Sequence, residues 1–151
     1  MALPSTSNAQ NARGDAVKIR VRVGKSPIEG QGLFAAQPIK KGTRIMQYSG
    51  EKIAKDESAQ RLVQGNNYIF ELNERYDIDG SPGWNTARYI NHSCDPNCDV
   101  EITTRTIWIV ALRNIKAGEE LSYNYGFEAK KYRCNCGANN CCGYILDAKY
   151  W

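Results

Sequence analysis

Arg88-Tyr89-Ile90-Asn91-His92-Ser93-Cys94-Asp95-Pro96-Asn97 places a polar cluster directly behind an apolar run and carries the only histidine of the chain. A lone histidine serves most simply as a hydrogen-bonding residue of a loop or core. His92 and Cys94 could be compared with a nucleophilic pair. Two residues so close in extended chain rarely meet with productive geometry, however, and no third group to orient the imidazole is evident. Hydrolase chemistry is therefore set aside, and the meaning of Cys94 is sought further along the chain.

The C-terminal stretch supplies it. Cys134-Asn135-Cys136 and, four residues on, Cys141-Cys142-Gly143 bring the cysteine count to six against one histidine. Met1 to Ala16, rich in Ser, Asn, Ala and Gln, has neither the basic region nor the apolar run of a signal peptide, and Arg13 alone is too little for a transit peptide. That segment is expected to be a disordered tail, and the protein intracellular with reduced thiols, which then count first as metal ligands. Crowded thiolates repel one another unless a cation neutralises them, and zinc takes four in a tetrahedron. Adjacent residues rarely both reach one metal. Cys134, Cys136 and Cys141 are thus three candidate ligands, with Cys142 an alternative to Cys141, and Cys94 or Cys98 is the distant fourth. Four thiolates leave no open position for water, so such a site would fasten the tail to the body beside Asn91 to Cys94 and form one wall of a pocket.

Between these landmarks the pattern is that of short strands. Val17 to Val23 alternates apolar residues with Lys18, Arg20 and Arg22, and Leu33 to Ala36 resumes an apolar strand after a Gly-rich and Pro-containing loop from Gly24 to Gly32. Strands are expected over 43–48, 68–72, 76–79, 98–103, 106–112 and 120–123. Turns fall at Lys41-Gly42, Asn73-Glu74, Gly80 to Gly83, Thr104-Arg105 and Ala117-Gly118. A single good helical window begins with Asp56 as cap, runs through Leu62 and Val63 and ends at Gly65, with Glu57 and Arg61 spaced i,i+4. Many short strands and one helix indicate a mainly β domain.

The 151 residues suit one compact domain, and 20 basic against 16 acidic side chains give a formal net charge of +4. That excess is too small to make nucleic-acid binding the default, and no apolar stretch approaches the length that spans a bilayer. Nine tyrosines accompany only three phenylalanines. Tyr123 and Tyr125 stand two apart, on one face if extended, which suits either two phenols in one pocket or ordinary packing with hydroxyls at the rim.

Gly30-Gln31-Gly32, Asn91 to Asn97, Gly118-Glu119-Glu120-Leu121-Ser122-Tyr123-Asn124-Tyr125 and Cys134-x-Cys136-x4-Cys141, in this order, together resemble the SET-domain protein lysine methyltransferases with a post-SET zinc tail. The resemblance runs from about Lys18 to Leu146. It implies a mainly β, β-clip-like SET fold with a knot-like C-terminal segment, and a division into a tail (1–16), a SET domain (17–128) and a post-SET zinc segment (129–151). It further implies S-adenosylmethionine as methyl donor, with Gly30, Gln31 and Gly32 meeting it through the backbone, Tyr68 at a cofactor-contacting position, and Asn91 and His92 holding its methionine and adenine parts. Tyr125 matches the catalytic tyrosine, and Tyr123 the position that limits how many methyl groups are added. Cys94 becomes the fourth zinc ligand beside Cys134, Cys136 and Cys141. Tyr144 to Leu146, with Trp151, would cover cofactor and substrate channel. Asn124 stands where the family often has Asp, and Cys142 where a basic residue is common.

The reaction so implied needs a neutral lysine amine aligned with a sulfonium methyl, and no metal at that step. A phenol at position 123 leaves little room for a methylated amine, so monomethylation, with some dimethylation, is expected. The substrate would be a histone tail or another basic protein, without direct nucleic-acid or membrane binding. Nuclear chromatin, a bacterial cytoplasm and a host-directed bacterial effector all suit such an enzyme. The alternative is a catalytically silent SET module that binds peptides or acts as a scaffold, against which Tyr125, Asn91 and His92 speak. No cysteine-rich segment precedes the core and no targeting module is evident, so the core is expected to stand without the first, and substrate choice to rest on the groove and on outside partners.

Overall fold

The computed structural model describes residues 18–151, so the expected tail lies outside the described residues. Strand β1 (Val21–Lys25) pairs antiparallel with β2 (Gln31–Ala35) from Val21↔Ala35 to Lys25↔Gln31. β1 lies later than the alternation at 17–23 suggests. Partner choice decides: Leu33 and Ala35 of β2 are fully buried, and β1 lies where it can pair with them.

The central sheet has the order β3-β9-β8, from β3 (Arg44–Gln47), β8 (Cys98–Ile102) and β9 (Ile107–Ala111). Its alternation is clear in β9, where Ile107, Ile109 and Ala111 enter the core between the half-buried Trp108 and Val110. A second sheet has the order β4-β6-β5, from β4 (Glu51–Ala54), β5 (Ile69–Glu71) and β6 (Tyr76–Asp79). β4 was not expected from the sequence, because only Ile53 of its four residues is buried and so no period of two can show.

The helix α1 (Lys55–Val63) falls in the expected window with a different start. Ala54 occupies the cap position without a side-chain bond, and Asp56 lies with Glu57 in the first turn, where a negative charge meets the positive end of the helix dipole. Leu62 and Val63, which read as its apolar residues, are exposed. Polar contacts hold α1 instead. Arg61 pairs with Glu57 one turn back, with Glu51 of β4 at 2.9 Å and with Asp79 of β6 at 2.6 Å. Asp79 is buried and also accepts from Asn66 Nδ2 at 3.0 Å and from the Ser81 amide at 2.9 Å.

Two further short strands, β7 (Asn91–His92) and β10 (Ser122–Tyr123), pair in parallel. The expected strand at 120–123 is thus cut to two residues, because β7 offers only two partners. Glu120 instead makes a lone bridge to Phe34 of β2, and the Leu121 amide donates to the Leu33 carbonyl at 2.8 Å. The result is the mainly β arrangement of small sheets that the sequence leads one to expect.

For Asp79, burial pushes the carboxyl up, but hydrogen bonds from Ser81, Arg61 and Asn66 outweigh it and hold the group down at about 2. A depressed carboxylate stabilises the fold above its unfolded value, and that contribution disappears as pH falls through the folded one. Asp79→Asn is therefore expected to cost about 2 kcal/mol near neutrality and to flatten the stability profile between about pH 4 and pH 2, read from urea unfolding across that range.

Candidate functional site

The parallel pair β7 and β10 is the seat of the site. Tyr123 lies opposite His92, the Ser93 amide donates to the Tyr123 carbonyl at 3.2 Å, and the Tyr125 amide donates to His92 Nδ1 at 3.1 Å. An imidazole nitrogen that accepts carries no proton, so His92 is neutral with its proton on Nε2. That nitrogen faces the Cys94 sulfur at 3.6 Å. Burial agrees, since it pushes His92 down to about 4. Both ring nitrogens are spent inside the protein, so any contact of His92 with a ligand must pass through its backbone or ring edge.

A cavity of about 800 Å³ opens beside this junction, bordered by the loop at Glu29 to Gln31, by Tyr68 to Glu71 around β5, and by Asn91, Tyr123 and Tyr125. Along it, neighbouring rings form a chain: Tyr48 to Phe70 at 4.5 Å, Phe70 to Tyr123 at 5.7 Å, Tyr123 to Tyr125 at 5.0 Å and Tyr125 to Phe127 at 5.6 Å between centroids. Such a wall suits an aliphatic chain carrying a polar tip. Tyr125 donates its hydroxyl to the Ile90 carbonyl at 2.7 Å, and Tyr48 to the Tyr68 carbonyl at 2.7 Å. Burial, reinforced by the neighbouring phenols, raises Tyr48, Tyr123 and Tyr125 well above the usual phenol value. These phenols stay protonated at neutral pH and act as oriented dipoles rather than as bases.

The loop at the cavity rim is held by Asn91. Its Nδ2 lies 3.0 Å from the carbonyls of both Glu29 and Gln31. Gly30, between them, has φ +40°, a conformation that side chains with a Cβ rarely adopt. Gly30 and Gln31 border the cavity, whereas Gly32 is buried in β2 and does not.

Arg88 borders the same cavity and was missed by the sequence reasoning. Its guanidinium lies 4.6 Å from the Tyr68 ring centroid and 5.6 Å from that of Tyr89, and its buried Nε has no hydrogen-bond partner among the described residues. A cation held on aromatic faces at the wall of a cavity fits an anionic group there. The available signal was an arginine beginning the Arg88 to Asn97 stretch, ahead of its polar cluster.

The thiols of Cys94, Cys134, Cys136 and Cys141 all lie within 4.8 Å of one another. Cys94 Sγ is 3.9 Å from Cys134 Sγ and 3.8 Å from Cys141 Sγ. A tetrahedron with metal–sulfur bonds of about 2.3 Å has edges of about 3.8 Å, so the four sulfurs fit a tetrathiolate zinc. Cys98 is buried apart from them at the start of β8, and Cys142 points its thiol at the Tyr144 carbonyl. The tail is also tied back by Asn67 Nδ2, which donates to the Tyr132 hydroxyl at 3.2 Å, both residues bordering the cavity.

A family model described as SET domain matches residues 30–126. The chain belongs to the SET domain family. Among its relatives, the histone-lysine N-methyltransferase trr of Drosophila melanogaster is 43% identical over 80% of this chain and 6% of its own length. The histone-lysine N-methyltransferase ATXR7 of Arabidopsis thaliana is 39% identical over 82% of this chain and 10% of its own length. A histone-lysine N-methyltransferase of Schizosaccharomyces pombe, named as specific for H3 lysine 4, is 40% identical over 91% of this chain and 16% of its own length. The chain thus spans a small part of each of these relatives.

In this SET domain chain, Gly30, Gln31, Tyr68, Asn91, Tyr123 and Tyr125 meet around one cavity, and His92 stands behind it with a smaller cavity of about 90 Å³ at its edge. Of the residues expected to cover the pocket, Ile145 borders both cavities. Leu146 is buried elsewhere, and Trp151 folds onto its own tail, its Nε1 donating to the Leu146 carbonyl at 3.3 Å. Spectrophotometric titration should register the late ionisation of Tyr125: the wild-type minus Tyr125→Phe difference is expected to show no phenolate absorbance up to about pH 11. A phenolate signal in that difference near pH 10 would contradict the half-buried, protonated phenol.

Proposed function

We propose that the chain transfers a methyl group from S-adenosylmethionine to a lysine of a histone tail, with H3 the first substrate to test. One observation carries the reading: a single cavity joins an arginine and a carbonyl-rich rim to two protonated phenols, Tyr123 buried and Tyr125 half-buried. S-adenosylmethionine, when bound, supplies an electrophilic methyl group and needs recognition of its amino-acid and adenosine ends. Arg88 fits its carboxylate, and the backbone of Gly30 and Gln31 with Asn91 fits the rim of the same site. Tyr68 offers a ring edge beside Arg88, and His92 its backbone.

The rest of the chemistry falls to the aromatic wall. Lysine reacts as a free amine, and a chain of rings excluding water disfavours the ammonium form. Tyr125 cannot take the proton, because its hydroxyl is protonated and already donates to Ile90. The proton therefore leaves to solvent at the cavity mouth, while the phenol dipoles of Tyr125 and Tyr123 orient the amine lone pair. Tyr123 is 5% exposed and fixed between Phe70 and Tyr125, so its hydroxyl occupies the room a methylated amine would need. On this reading the product is monomethyl-lysine, with some dimethyl-lysine. Strand β5 is the edge of its sheet, which leaves one side free for an extended peptide at the cavity.

The domain division 17–128 and 129–151 belongs to this reading, with zinc held by Cys94, Cys134, Cys136 and Cys141 as a clasp rather than a reagent. A histone substrate places the enzyme at chromatin in a nucleus. No helix among the described residues is long and apolar enough to cross a membrane.

Incubation with methyl-labelled S-adenosylmethionine and histone H3 should give labelled monomethyl-lysine, and Tyr125→Phe should lower kcat by about 10²-fold to 10³-fold. Tyr123→Phe should raise the number of methyl groups seen by mass spectrometry, and abundant trimethyl-lysine from the wild type would contradict the steric role of Tyr123. No label above the Tyr125→Phe control, with cofactor bound, would favour a silent module. Metal analysis should find about one zinc per chain, lost with a fall in Tm on Cys94→Ser substitution. A folded, reduced preparation without zinc would refute the ligand set.

A further inference from the structure

Glu120 stands in the motif that ends in Tyr125, yet no part of the proposed chemistry uses it. Its backbone is fixed on two sides: it bridges Phe34 of β2, and its carbonyl accepts from Asn97 Nδ2 at 2.8 Å. The side chain therefore leaves from a rigid point between β2 and the 91–97 segment. Its Oε1 accepts from Ser26 Oγ at 2.7 Å and from Asn91 Nδ2 at 2.9 Å.

The donors at this cluster converge on the Glu120 carboxylate. Ser26 Oγ accepts from the amides of Ile28 at 2.9 Å and Glu29 at 3.4 Å, which leaves its single O–H to donate. The two N–H protons of Asn91 Nδ2 are shared among four acceptors: Ser26 Oγ at 3.1 Å, the carbonyls of Glu29 and Gln31 at 3.0 Å and, nearest, Glu120 Oε1 at 2.9 Å. A carboxylate accepts and never donates when ionised, so one oxygen takes the Ser26 hydroxyl proton and draws on an Asn91 N–H at the same time. The Ser26 amide closes the loop by donating to the Gly30 carbonyl at 2.9 Å.

Gly32 belongs to the same arrangement. A Cβ built there would collide with Glu120 Oε1, lie 2.9 Å from Glu120 Cδ and reach Ser26 Cβ at 3.0 Å. The missing side chain makes space for the carboxylate, and Gly32 does not border the cavity.

We propose that Glu120 is a positioning residue for the cofactor: its carboxylate joins Ser26 and Asn91 into a clamp that sets the backbone of Glu29, Gly30 and Gln31 at the cavity rim, and position 32 must be glycine to admit that carboxylate. The proposal rests on the cavity being the S-adenosylmethionine site, and its test separates the two. Amide hydrogen exchange of residues 26–31 is measured on the chain without cofactor, and S-adenosylmethionine binding by calorimetry, for wild type, Glu120→Ala, Glu120→Gln, Gly32→Ala and the double variant Glu120→Ala with Gly32→Ala.

Glu120→Ala is expected to speed exchange at 26–31 and to weaken cofactor binding by about 10-fold, as for loss of a charge-assisted hydrogen-bond pair. In turnover the loss should fall on KM for S-adenosylmethionine and not on KM for the peptide. Glu120→Gln keeps one acceptor oxygen and should recover most of the binding, which guards against a folding defect in the alanine variant. Gly32→Ala should weaken binding in the wild type and cost less once Glu120 is alanine, because the closest colliding group is gone and only Ser26 Cβ at 3.0 Å remains. Wild-type exchange and affinity in Glu120→Ala, or full additivity of the two substitutions, would overturn the clamp. If the wild type binds no S-adenosylmethionine, the cofactor reading fails, and exchange at 26–31 still decides whether Glu120 holds the loop.

Discussion

The structure depends on two residues of parallel pairing. Where Asn91-His92 lies beside Ser122-Tyr123, a chain segment that has just left one part of the fold is locked to one that arrives thirty residues later. The lock is reinforced by side chains. His92 accepts the Tyr125 amide through Nδ1, and Tyr125 returns its hydroxyl to the Ile90 carbonyl, so the 90–92 segment and Tyr125 are joined by two bonds of opposite direction. The neutrality of His92 follows from that geometry and from burial. A protonated ring would lose its acceptor and with it the hold on Tyr125.

From this junction the cavity follows on both sides. Asn91, on one strand, ties the Glu29 to Gln31 backbone, while Tyr123, on the other, and Tyr125, just beyond it, supply the phenols. Two residues past His92, Cys94 places its sulfur among those of Cys134, Cys136 and Cys141. The residues proposed to bind, orient and fasten thus radiate from one short stretch, which explains why that stretch is so dense in polar side chains. The C-terminal tail buries little apolar surface of its own beyond Leu146, and its attachment rests on the thiol cluster, on Tyr132 with Asn67, and on the Asp147 amide bonded to the Phe127 carbonyl at 2.8 Å.

Much of this was legible in the residues. β9 alternates cleanly because one of its faces is wholly buried, and the thiols declare themselves by spacing. The resemblance of the Asn91 to Asn97 and Gly118 to Tyr125 segments to SET domains anticipated their meeting, which periodicity alone could not, since a two-residue parallel pair has no period. β4 was hidden by its charged residues, and the helix start was misplaced because Asp56 serves the dipole rather than the cap. The second glycine of Gly30-Gln31-Gly32 illustrates a deeper limit. A sequence shows that a side chain is absent and not what fills the space, and here Glu120, far along the chain, does so. Arg88 escaped notice for a similar reason: its unspent donor is visible only once the surrounding partners are placed.

The most direct test is a crystal structure of the chain with S-adenosylhomocysteine and a lysine-bearing H3 tail peptide. The account predicts the cofactor carboxylate on Arg88, its sulfur facing the cavity between Asn91 and Tyr125, and the lysine Nζ reaching that sulfur past Tyr123. A cofactor seated away from Arg88 and the Glu29 to Gln31 rim, or a lysine that does not reach the Tyr123 and Tyr125 hydroxyls, would contradict it.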